Sequence, residues 1–455
     1  MSEIKDNPIT RRDFVVKGSA SLAAAAAAAN LGLLGSTAYA QAGNKPLRLG
    51  IVGCGGRGTG AVGNCLQAAE ELGLPLKLVA LADIAPDRVD RAYTALNGSW
   101  GEKGRVDVPE ANKFTGFDGY KKLCAHPDVD IVVQTTPPGL RYLTLREAVK
   151  NGKHSFVEKP VCVDADTYHH VIESGEMAKN KGLAIVSGTQ YRRENSYKDA
   201  IKQLNDGIIG DVVASYQYYC SSTQWHLGDG EGNWDQMTYQ MRNWPYFVWL
   251  SGDLITEQSI HNIDAINWAA GGPPVKAYAS GGRIARTQKE FGNIYDHFDV
   301  HFEYANGVRS AFMGRHFKNA TNKVENRWVG TKGELYLRPN PGRSAWIAKG
   351  HDGQLLARNT GRDNNNQPYV EEHKELLAGI VNNAPIMEIQ EVADSSLTCI
   401  LGREAAYTGK ELNFAFLAGQ SKLKLRPEGI DDGPKPGDVK LPYPDVRRPG
   451  TYTIV

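Results

Sequence analysis

The sequence predicts an α/β plus α+β fold in two parts: a doubly wound parallel sheet, followed by an open, mostly antiparallel sheet. Three observations support this prediction. The chain has 455 residues, a length that suits about two domains. β-prone runs alternate with helical segments over residues 45–187, which is the pattern of a parallel sheet. Over residues 188–425 several runs alternate apolar and polar residues, as in an antiparallel sheet with one covered face.

The first 40 residues have the layout of an export signal. The motif Arg11-Arg12-Asp13-Phe14 precedes an alanine-rich apolar run from Gly18 to Leu34, and Ala38-Tyr39-Ala40 fits a small-residue cleavage site. The run is too short and too rich in alanine for a stable membrane span. An arginine pair followed by Phe resembles a twin-arginine signal, which predicts an exported, periplasmic protein. The alternative is an uncleaved N-terminal anchor.

A glycine-rich turn after the first β-prone run predicts a dinucleotide site. The run Leu47–Val52 leads directly into a GxGxxG pattern, and Thr59–Leu72 is expected to be a helix. The glycines allow a tight turn and close approach of a pyrophosphate, while the helix N-terminus faces the phosphates with unpaired N–H groups. The expected cofactor contacts of this turn are Gly53, Gly55, Gly56, Arg57 and Gly58.

The second β-prone run, Leu76–Ala82, ends at Asp83. An acid at this place accepts hydrogen bonds from the adenosine ribose hydroxyls and repels a 2′-phosphate, so NAD is favoured as the cofactor. Arg88 follows five residues later and keeps NADP possible. The alternative role for Asp83 is to cap the helix that begins near Ala85-Pro86.

Further strand and helix units complete the parallel sheet. The expected strands are Val129–Gln134, His154–Val157 and Leu183–Val186, and the expected helices are Leu143–Asn151, Asp164–Lys181 and one that ends over Tyr120–His126. Ligands bind at the C-terminal ends of parallel strands, so the residues that follow these strands should border one crevice with the glycine turn. These residues are Thr135, Pro137, Glu158 and Lys159.

The second part of the chain changes to strands of an antiparallel type. The expected strands are Val212–Ser222, Val275–Ile284, His297–Tyr304, Val308–Phe317, Arg327–Val329 and Glu334–Leu337. Between them lies an aromatic and polar stretch, Gln224–Trp249, which suits the C–H faces and hydroxyls of a sugar; its alternative is a packed loop or a subunit contact. Residues 426–455 are rich in Pro, Gly and Asp and are expected to form an extended tail.

Composition limits the possible partners. The hydrophobic fraction is 41% and the charged fraction 23%, as in ordinary globular proteins. A formal net charge of +1 provides no basic surface for nucleic acid. The six cysteines form no CxxC pair and the eleven histidines form no metal-like tract, so no metal site is predicted. A small molecule is the expected partner.

These motifs together resemble those of the glucose–fructose oxidoreductase / inositol dehydrogenase family, Gfo/Idh/MocA. The resembling segments are the glycine turn at 53–58, Thr136-Pro137-Pro138, Gly152–Pro160, Gly188–Arg192, Ile208–Asp211, Gly330–Leu335 and Gly402–Ala406. The resemblance implies a Rossmann domain over 45–187 that binds NAD or NADP. It also implies a substrate and oligomerisation domain over 188–425, whose free sheet face forms a homodimer or homotetramer.

The resemblance further implies a catalytic set of Lys159, Glu257 and His261. In the family the lysine of Glu-Lys-Pro borders both cofactor and substrate, and a helix of the second domain carries an acid four residues before a histidine. Glu257 and His261 fit that spacing, which on one helix places both side chains on one face. The family commonly has Asp where this chain has Glu257. Histidine suits the removal of a hydroxyl proton near neutral pH, and lysine stabilises a developing alkoxide.

Four more residues are predicted on the substrate side: Tyr191, Arg192, Asp264 and Trp244. Tyr191 and Arg192 have the alternative of simply beginning the second domain. Asp264 has the alternative of supporting its helix or orienting the neighbouring histidine.

The predicted function is hydride transfer between a nicotinamide cofactor and a hydroxyl or carbonyl of a sugar, glycoside or cyclitol. Free nicotinamide dinucleotide is scarce outside the cytoplasm, so an exported enzyme should hold its cofactor tightly and recycle it in place. The alternative is a redox-neutral NAD-dependent glycosidase that oxidises the sugar transiently, although the motif set of known NAD-dependent α-N-acetylgalactosaminidases is not found. A non-catalytic dinucleotide or sugar sensor is disfavoured by Lys159 and His261.

Overall fold

The computed structural model describes residues 46–222, 224–361, 367–432, 441 and 444–454. The predicted export signal at 1–40 lies outside the described residues, as do residues 433–440, 442, 443 and 455 of the predicted tail. Among the described residues, no helix has both the length and the apolar character needed to cross a membrane.

The first part of the chain forms a parallel sheet of six strands. The strands are β1 (Leu47–Val52), β2 (Leu76–Asp83), β3 (Lys113–Thr115), β4 (Ile131–Gln134), β5 (His154–Val157) and β6 (Ile185–Ser187). The helices are α1 (Gly56–Glu71), α2 (Pro86–Trp100), α3 (Gly119–Ala125), α4 (Arg141–Lys150) and α5 (Ala165–Asn180). The strand order β3-β2-β1-β4-β5-β6 reverses between β1 and β4, which opens a crevice at their C-terminal ends. The predicted doubly wound Rossmann sheet is confirmed.

The second part forms a sheet of nine strands in the order β14-β13-β12-β11-β7-β10-β9-β8-β15. Its strands are β7 (Val212–Ser221), β8 (Lys276–Gly282), β9 (His297–Glu303), β10 (Arg309–His316), β11 (Lys323–Gly330), β12 (Gly333–Arg338), β13 (Ala345–Gly350), β14 (Leu355–Asn359) and β15 (Leu412–Asn413). Only β7 and β10 pair in parallel among these neighbours. The predicted mostly antiparallel sheet is confirmed, and β13, β14 and β15 add to the predicted strands.

The alternation of side chains explains how this sheet packs. In β9, Phe298, Val300 and Phe302 are buried, whereas His301 between them is exposed. One face therefore joins the core and the other faces outward. The helices of this part are α6 (Asn195–Asn205), α7 (Gln236–Arg242), α8 (Val248–Ser251), α9 (Leu254–Glu257), α10 (Ile260–Ala270), α11 (Pro368–Val381), α12 (Ile389–Thr408) and α13 (Phe414–Gly419).

Helix α11 packs on the other part of the molecule. Its Val370, Leu376 and Leu377 belong to the apolar cluster that contains Leu49 and Ile51 of β1. The predicted second domain, 188–425, contains this helix, yet the helix lies against α1 of the Rossmann layer. The apolar residues of α11 complete the core of the Rossmann layer, while α12 packs against β8 and β9 of the second sheet.

Candidate active site

A cavity of about 980 Å³ lies at the C-terminal edge of the parallel sheet, facing the second domain. It brings together residues that lie far apart in the sequence. The predicted site residues in its wall are Gly53, Gly55, Gly56, Arg57, Gly58, Asp83, Thr135, Pro137, Glu158, Lys159, Trp244, Glu257 and His261.

The glycine turn has the form of a phosphate-binding site. Gly53 has φ +98°, a backbone conformation that favours glycine, and a Cβ on Gly58 would lie 2.0 Å from the carbonyl oxygen of Gly53. By contrast, a Cβ on Gly56 would meet no atom within 4 Å, so the space in front of the turn is open. No side chain caps the N-terminus of α1, which leaves its N–H groups for a ligand. The turn therefore fits a pyrophosphate.

Thr135 fixes this turn to the end of β4. Its hydroxyl donates a hydrogen bond of 2.6 Å to the carbonyl oxygen of Gly53. The neighbouring Thr136 also lines the cavity, and its buried hydroxyl oxygen has no hydrogen-bond partner among the described residues. An unpaired hydroxyl in this wall is available to a bound molecule.

Asp83 connects the turn to the second helix. One carboxylate oxygen accepts from the Cys54 N–H at 2.7 Å, and the other accepts from the Ala85 N–H at 2.9 Å. Burial raises the pKa of Asp83. The residue that caps α2 is Ala85, so Asp83 is not the cap in the strict sense. Asp83 lies in the cavity wall, and its contact with a ribose stays a prediction.

Arg57 and Glu158 form an ion pair at the centre of the crevice. Arg57 Nε lies 2.8 Å from Glu158 Oε1, and the Lys159 N–H donates to Glu158 Oε2 at 3.1 Å. The Arg57 guanidinium also lies 5.0 Å above the ring of Tyr369, a cavity residue of α11. Tyr369 was not predicted as a site residue, because no local motif marks a helix that comes so late in the chain.

Lys159 and Glu257 meet across the domain boundary. Lys159 Nζ donates to the Glu257 carbonyl oxygen at 2.7 Å and lies 3.4 Å from Glu257 Oε1. The two side chains are 12% and 13% exposed, so the pair is largely shielded from water. An ammonium group has three donors, and these contacts leave one N–H free to face the cavity.

His261 reaches the same cavity by a different route from the predicted one. The prediction of one helix for Glu257 and His261 is wrong: α9 ends at Glu257 and α10 begins at Ile260. The Ser259 N–H donates to the carbonyl oxygen of Leu254 in α9. The Ser259 carbonyl oxygen, in contrast, accepts the first hydrogen bonds of α10, from the N–H groups of Asn262 and Ile263. Glu257 and His261 therefore lie on two successive helices and not one turn apart on a single helix. Both side chains still line the cavity.

The surroundings of His261 keep its ring neutral. Its ring packs on Tyr191 with centroids 5.0 Å apart, and Tyr191 stacks on Tyr197 at 4.5 Å. Burial, and then the positive charges of Lys159 and Arg57, lower the pKa of His261 well below its ordinary value. A neutral imidazole at the cavity wall can accept a proton.

Three predicted substrate residues do not line the cavity. Arg192 donates two hydrogen bonds of 2.8 Å to Asp264, and the Ser395 hydroxyl donates to the same carboxylate at 2.7 Å. These two residues are therefore paired with each other rather than directed at a ligand, because each satisfies the buried charge of the other. Tyr191 lies behind His261, and Trp244 alone of the four reaches the cavity wall.

Two family models match the chain. Residues 47–189 match the oxidoreductase family with an NAD-binding Rossmann fold, GFO_IDH_MocA, and residues 197–336 match the GFO/IDH/MocA C-terminal domain. A curated relative, a glycosyl hydrolase family 109 protein from Shewanella amazonensis, is 26% identical over 242 residues, which is 50% of each chain. The chain thus spans about half the length of this curated relative.

Solved structures share the fold. An aldose-aldose oxidoreductase from Caulobacter crescentus has a TM-score of 0.63 and 19% identity, over 81% of this chain and 100% of that one. A scyllo-inositol dehydrogenase from Lactobacillus casei has a TM-score of 0.59 and 20% identity, over 82% and 99% of the two chains. One family match lies on each sheet domain, and residues of both domains line the cavity, so the chain belongs to the GFO/IDH/MocA oxidoreductase family.

Proposed function

We propose that the protein is an NAD(P)-dependent oxidoreductase that transfers a hydride to or from a sugar, glycoside or cyclitol. The observation that carries the proposal is the meeting of Lys159, Glu257 and His261 in the cavity that begins at the glycine turn. Support for the substrate class comes from the names of the structural neighbours, an aldose-aldose oxidoreductase and a scyllo-inositol dehydrogenase.

In this proposal each of the three side chains has one role. A bound nicotinamide dinucleotide would accept or supply the hydride. His261 takes the proton of the reacting hydroxyl, because its ring is neutral and in the cavity wall. Lys159 directs its remaining N–H at the developing alkoxide. Glu257 holds the lysine in place through the contacts of 2.7 Å and 3.4 Å.

We propose NAD as the cofactor, with NADP as the second candidate. Asp83 disfavours a 2′-phosphate by its charge, whereas Arg88 lies in the same cavity wall and favours one. We also propose export by the twin-arginine route, since Arg11-Arg12 precedes the alanine-rich run. Export of a folded protein agrees with a cofactor that is bound tightly before the protein leaves the cytoplasm.

A second candidate function is redox-neutral glycoside cleavage, in which oxidation of a sugar hydroxyl, elimination of the aglycone with loss of the C–H proton next to the new carbonyl, addition of water and reduction of the carbonyl follow one another. The observation that favours it is the similarity to curated relatives named glycosyl hydrolase family 109. Both candidates need the same cofactor and a proton acceptor for the reacting hydroxyl. The glycosidase needs in addition a base for the C–H proton lost in the elimination, and a water molecule that adds afterwards.

The first test is the identity of the cofactor. The protein is purified without added cofactor and denatured, and any released dinucleotide is identified by mass spectrometry. The native protein is then mixed with aldoses and inositols while the near-ultraviolet absorbance of the reduced nicotinamide is followed, and separately with chromogenic glycosides. A net redox change supports the oxidoreductase, and cleavage without one supports the glycosidase.

A variant of the lysine shows whether the observed turnover belongs to this cavity. Lys159→Met should reduce turnover by roughly 100-fold or more, because the alkoxide loses its charged donor. The matched control is Lys202→Met on α6, an exposed lysine paired only with neighbouring Asp206. Equal activity in Lys159→Met and in the unchanged protein would contradict the proposal.

A further inference from the structure

One loop of the second domain covers the cofactor crevice of the first. We call residues Gln224–Tyr246 the strap. Its cavity-lining residues, Trp225, Leu227, Met241, Arg242 and Trp244, stand in the same cavity wall as the glycine turn and Asp83. The strap is thus a wall of the crevice contributed by the other domain.

The first end of the strap is fixed beside the catalytic residues. The Gln224 side-chain amide donates to Glu257 Oε2 at 3.5 Å. The Tyr246 hydroxyl donates to the Gln224 carbonyl oxygen at 2.8 Å, so the two ends of the strap are joined to each other. This end therefore lies near the place where hydride transfer is proposed.

A second attachment, within the strap, fixes it to the Rossmann domain. Arg242 forms two contacts with Asp87 at the start of α2, 2.5 Å to Oδ1 and 3.2 Å to Oδ2. The side-chain hydrogen bond from Arg242 is the main reason why the pKa of Asp87 is lowered to about 2. Asp87 comes four residues after Asp83, so this contact lies at the end of the crevice where the adenosine ribose is expected.

The strap has a folded interior. The buried Asn243 accepts from the Leu227 N–H at 2.8 Å and donates to the Gly228 carbonyl oxygen at 2.9 Å. The rings of Tyr246 and Phe291 pack against His226 with centroids 5.4 Å and 5.6 Å away. A loop with its own hydrogen bonds and aromatic core keeps its shape between its two ends.

We propose that the strap retains the dinucleotide, and that the Arg242–Asp87 ion pair is the clasp that holds it closed over the adenosine end. This inference rests on the proposed function, because it assigns the crevice to a dinucleotide. A cofactor that lies between the glycine turn and the strap can leave only when the clasp opens. The strap thereby provides the tight retention that an exported dinucleotide enzyme needs.

The test measures release of the cofactor from the intact protein. The protein is loaded with NADH and mixed with excess NAD, and loss of the bound NADH fluorescence gives the dissociation rate. Asp87→Asn and Arg242→Ala should each increase that rate roughly fivefold or more. The double variant should release NADH no faster than either single variant, because both changes open the same clasp.

The matched control is Lys202→Ala. Lys202 pairs with Asp206 on the exposed surface of α6, and it belongs neither to the strap nor to the cavity wall. Its removal should change the dissociation rate by less than twofold.

Three other results overturn the clasp. If Arg242→Ala releases NADH faster but Asp87→Asn does not, Arg242 binds the cofactor directly. If Lys202→Ala acts as strongly as Arg242→Ala, the faster release comes from the loss of a positive charge and not from opening of the strap. If all variants release NADH at the same rate as the unchanged protein, the strap does not retain it. A protein that binds neither NAD nor NADP would instead overturn the proposed function itself.

Discussion

At the scale of single residues, the chemistry of the cavity depends on how charges act on His261. Two positive groups, Lys159 and Arg57, add to the effect of burial and oppose protonation of the ring. Each of these cations has a carboxylate partner, Glu257 and Glu158 respectively. The histidine has the aromatic face of Tyr191 on one side instead. The cavity therefore combines paired charges with one neutral proton acceptor.

Loss of this acceptor should abolish most of the activity. His261→Ala is expected to reduce kcat/KM by about 100-fold to 10,000-fold, the usual contribution of a positioned base. The control is His169→Ala, because His169 lies on α5 of the Rossmann domain and does not line the cavity. Steady-state kinetics on the substrate identified in the first test gives the comparison. Activity retained in His261→Ala would show that another group takes the proton.

The pH profile should carry the signature of the same residue. A base works in its unprotonated form, and the lowered pKa keeps His261 unprotonated at pH values where an ordinary histidine, with a pKa of about 6.5, gains a proton. Activity should therefore persist as the pH falls below about 6.5 and decline only at the lower pKa. An acid limb of kcat/KM centred at or above 6.5 would contradict this assignment.

At the scale of elements, the short helix α9 determines where Glu257 lies. It begins after Asp253, a residue with φ +73° and ψ 166°, where non-glycine residues are strained. The buried Asp253 carboxylate accepts from the Leu254 N–H at 2.5 Å, from the Tyr295 N–H at 2.8 Å and from the Tyr407 hydroxyl. These contacts hold the strained backbone, and burial raises the pKa of Asp253 to about 6.

Two substitutions separate the strain from the hydrogen bonds. Asp253→Ala and Asp253→Gly both remove the acceptors, but glycine adopts this backbone conformation freely. We expect both to lower the free energy of unfolding, and the alanine variant to be less stable than the glycine variant by about 1 kcal/mol or more. Urea unfolding followed by circular dichroism measures the difference. Equal stability of the two variants would mean that the backbone at residue 253 is not strained.

The elements also show which parts of the site could be predicted from sequence. The glycine turn could be predicted because Gly53 and Gly58 are required by local backbone geometry. The break between α9 and α10 could not, because a spacing of four residues fits either one helix or two. The pairing of Arg192 with Asp264 was also missed. The sequence near a motif shows that a residue is charged, but not whether its partner in the folded protein is a ligand or another side chain.

Tyr369 and Arg242 illustrate a longer-range difficulty. Both reach the cavity from segments whose own sequence contains no dinucleotide motif. Their positions follow from tertiary packing of α11 and from the Arg242–Asp87 contact, neither of which has a local pattern. The aromatic stretch was predicted as a sugar platform, and the structure places its Trp225 and Trp244 in the cavity wall.

At the scale of the whole molecule, the outer face of the second sheet is suited to subunit contact. The Arg327 guanidinium lies between the rings of Tyr216 and Tyr336, at 5.6 Å and 4.9 Å. Met313 on β10 and Tyr278 on β8 are 43% and 58% exposed. The face also carries exposed charged residues, among them Asp299 and Arg309, and its exposed aromatic side chains, methionine and stacked arginine are of the types enriched at protein interfaces.

A charge on this face should weaken the proposed oligomer. Met313→Glu is expected to shift the protein from dimers or tetramers to monomers, because a carboxylate would be buried without a partner. Sedimentation velocity measures the masses at several concentrations. The control is Lys202→Glu, a change of charge on the exposed surface of α6. An unchanged protein that sediments as a monomer would remove the basis for this prediction.

The position of α11 has a consequence for the order in which the protein is made. The apolar core around β1 includes Val370, Leu376 and Leu377, which leave the ribosome after the strands of the second sheet from β7 to β14. Tyr369, whose ring lies beside Arg57, belongs to the same helix and is also synthesised after these strands. A nascent chain therefore cannot complete its nucleotide pocket until most of its length has been synthesised. Capture of the cofactor would then require that α11 has been synthesised and has packed against β1.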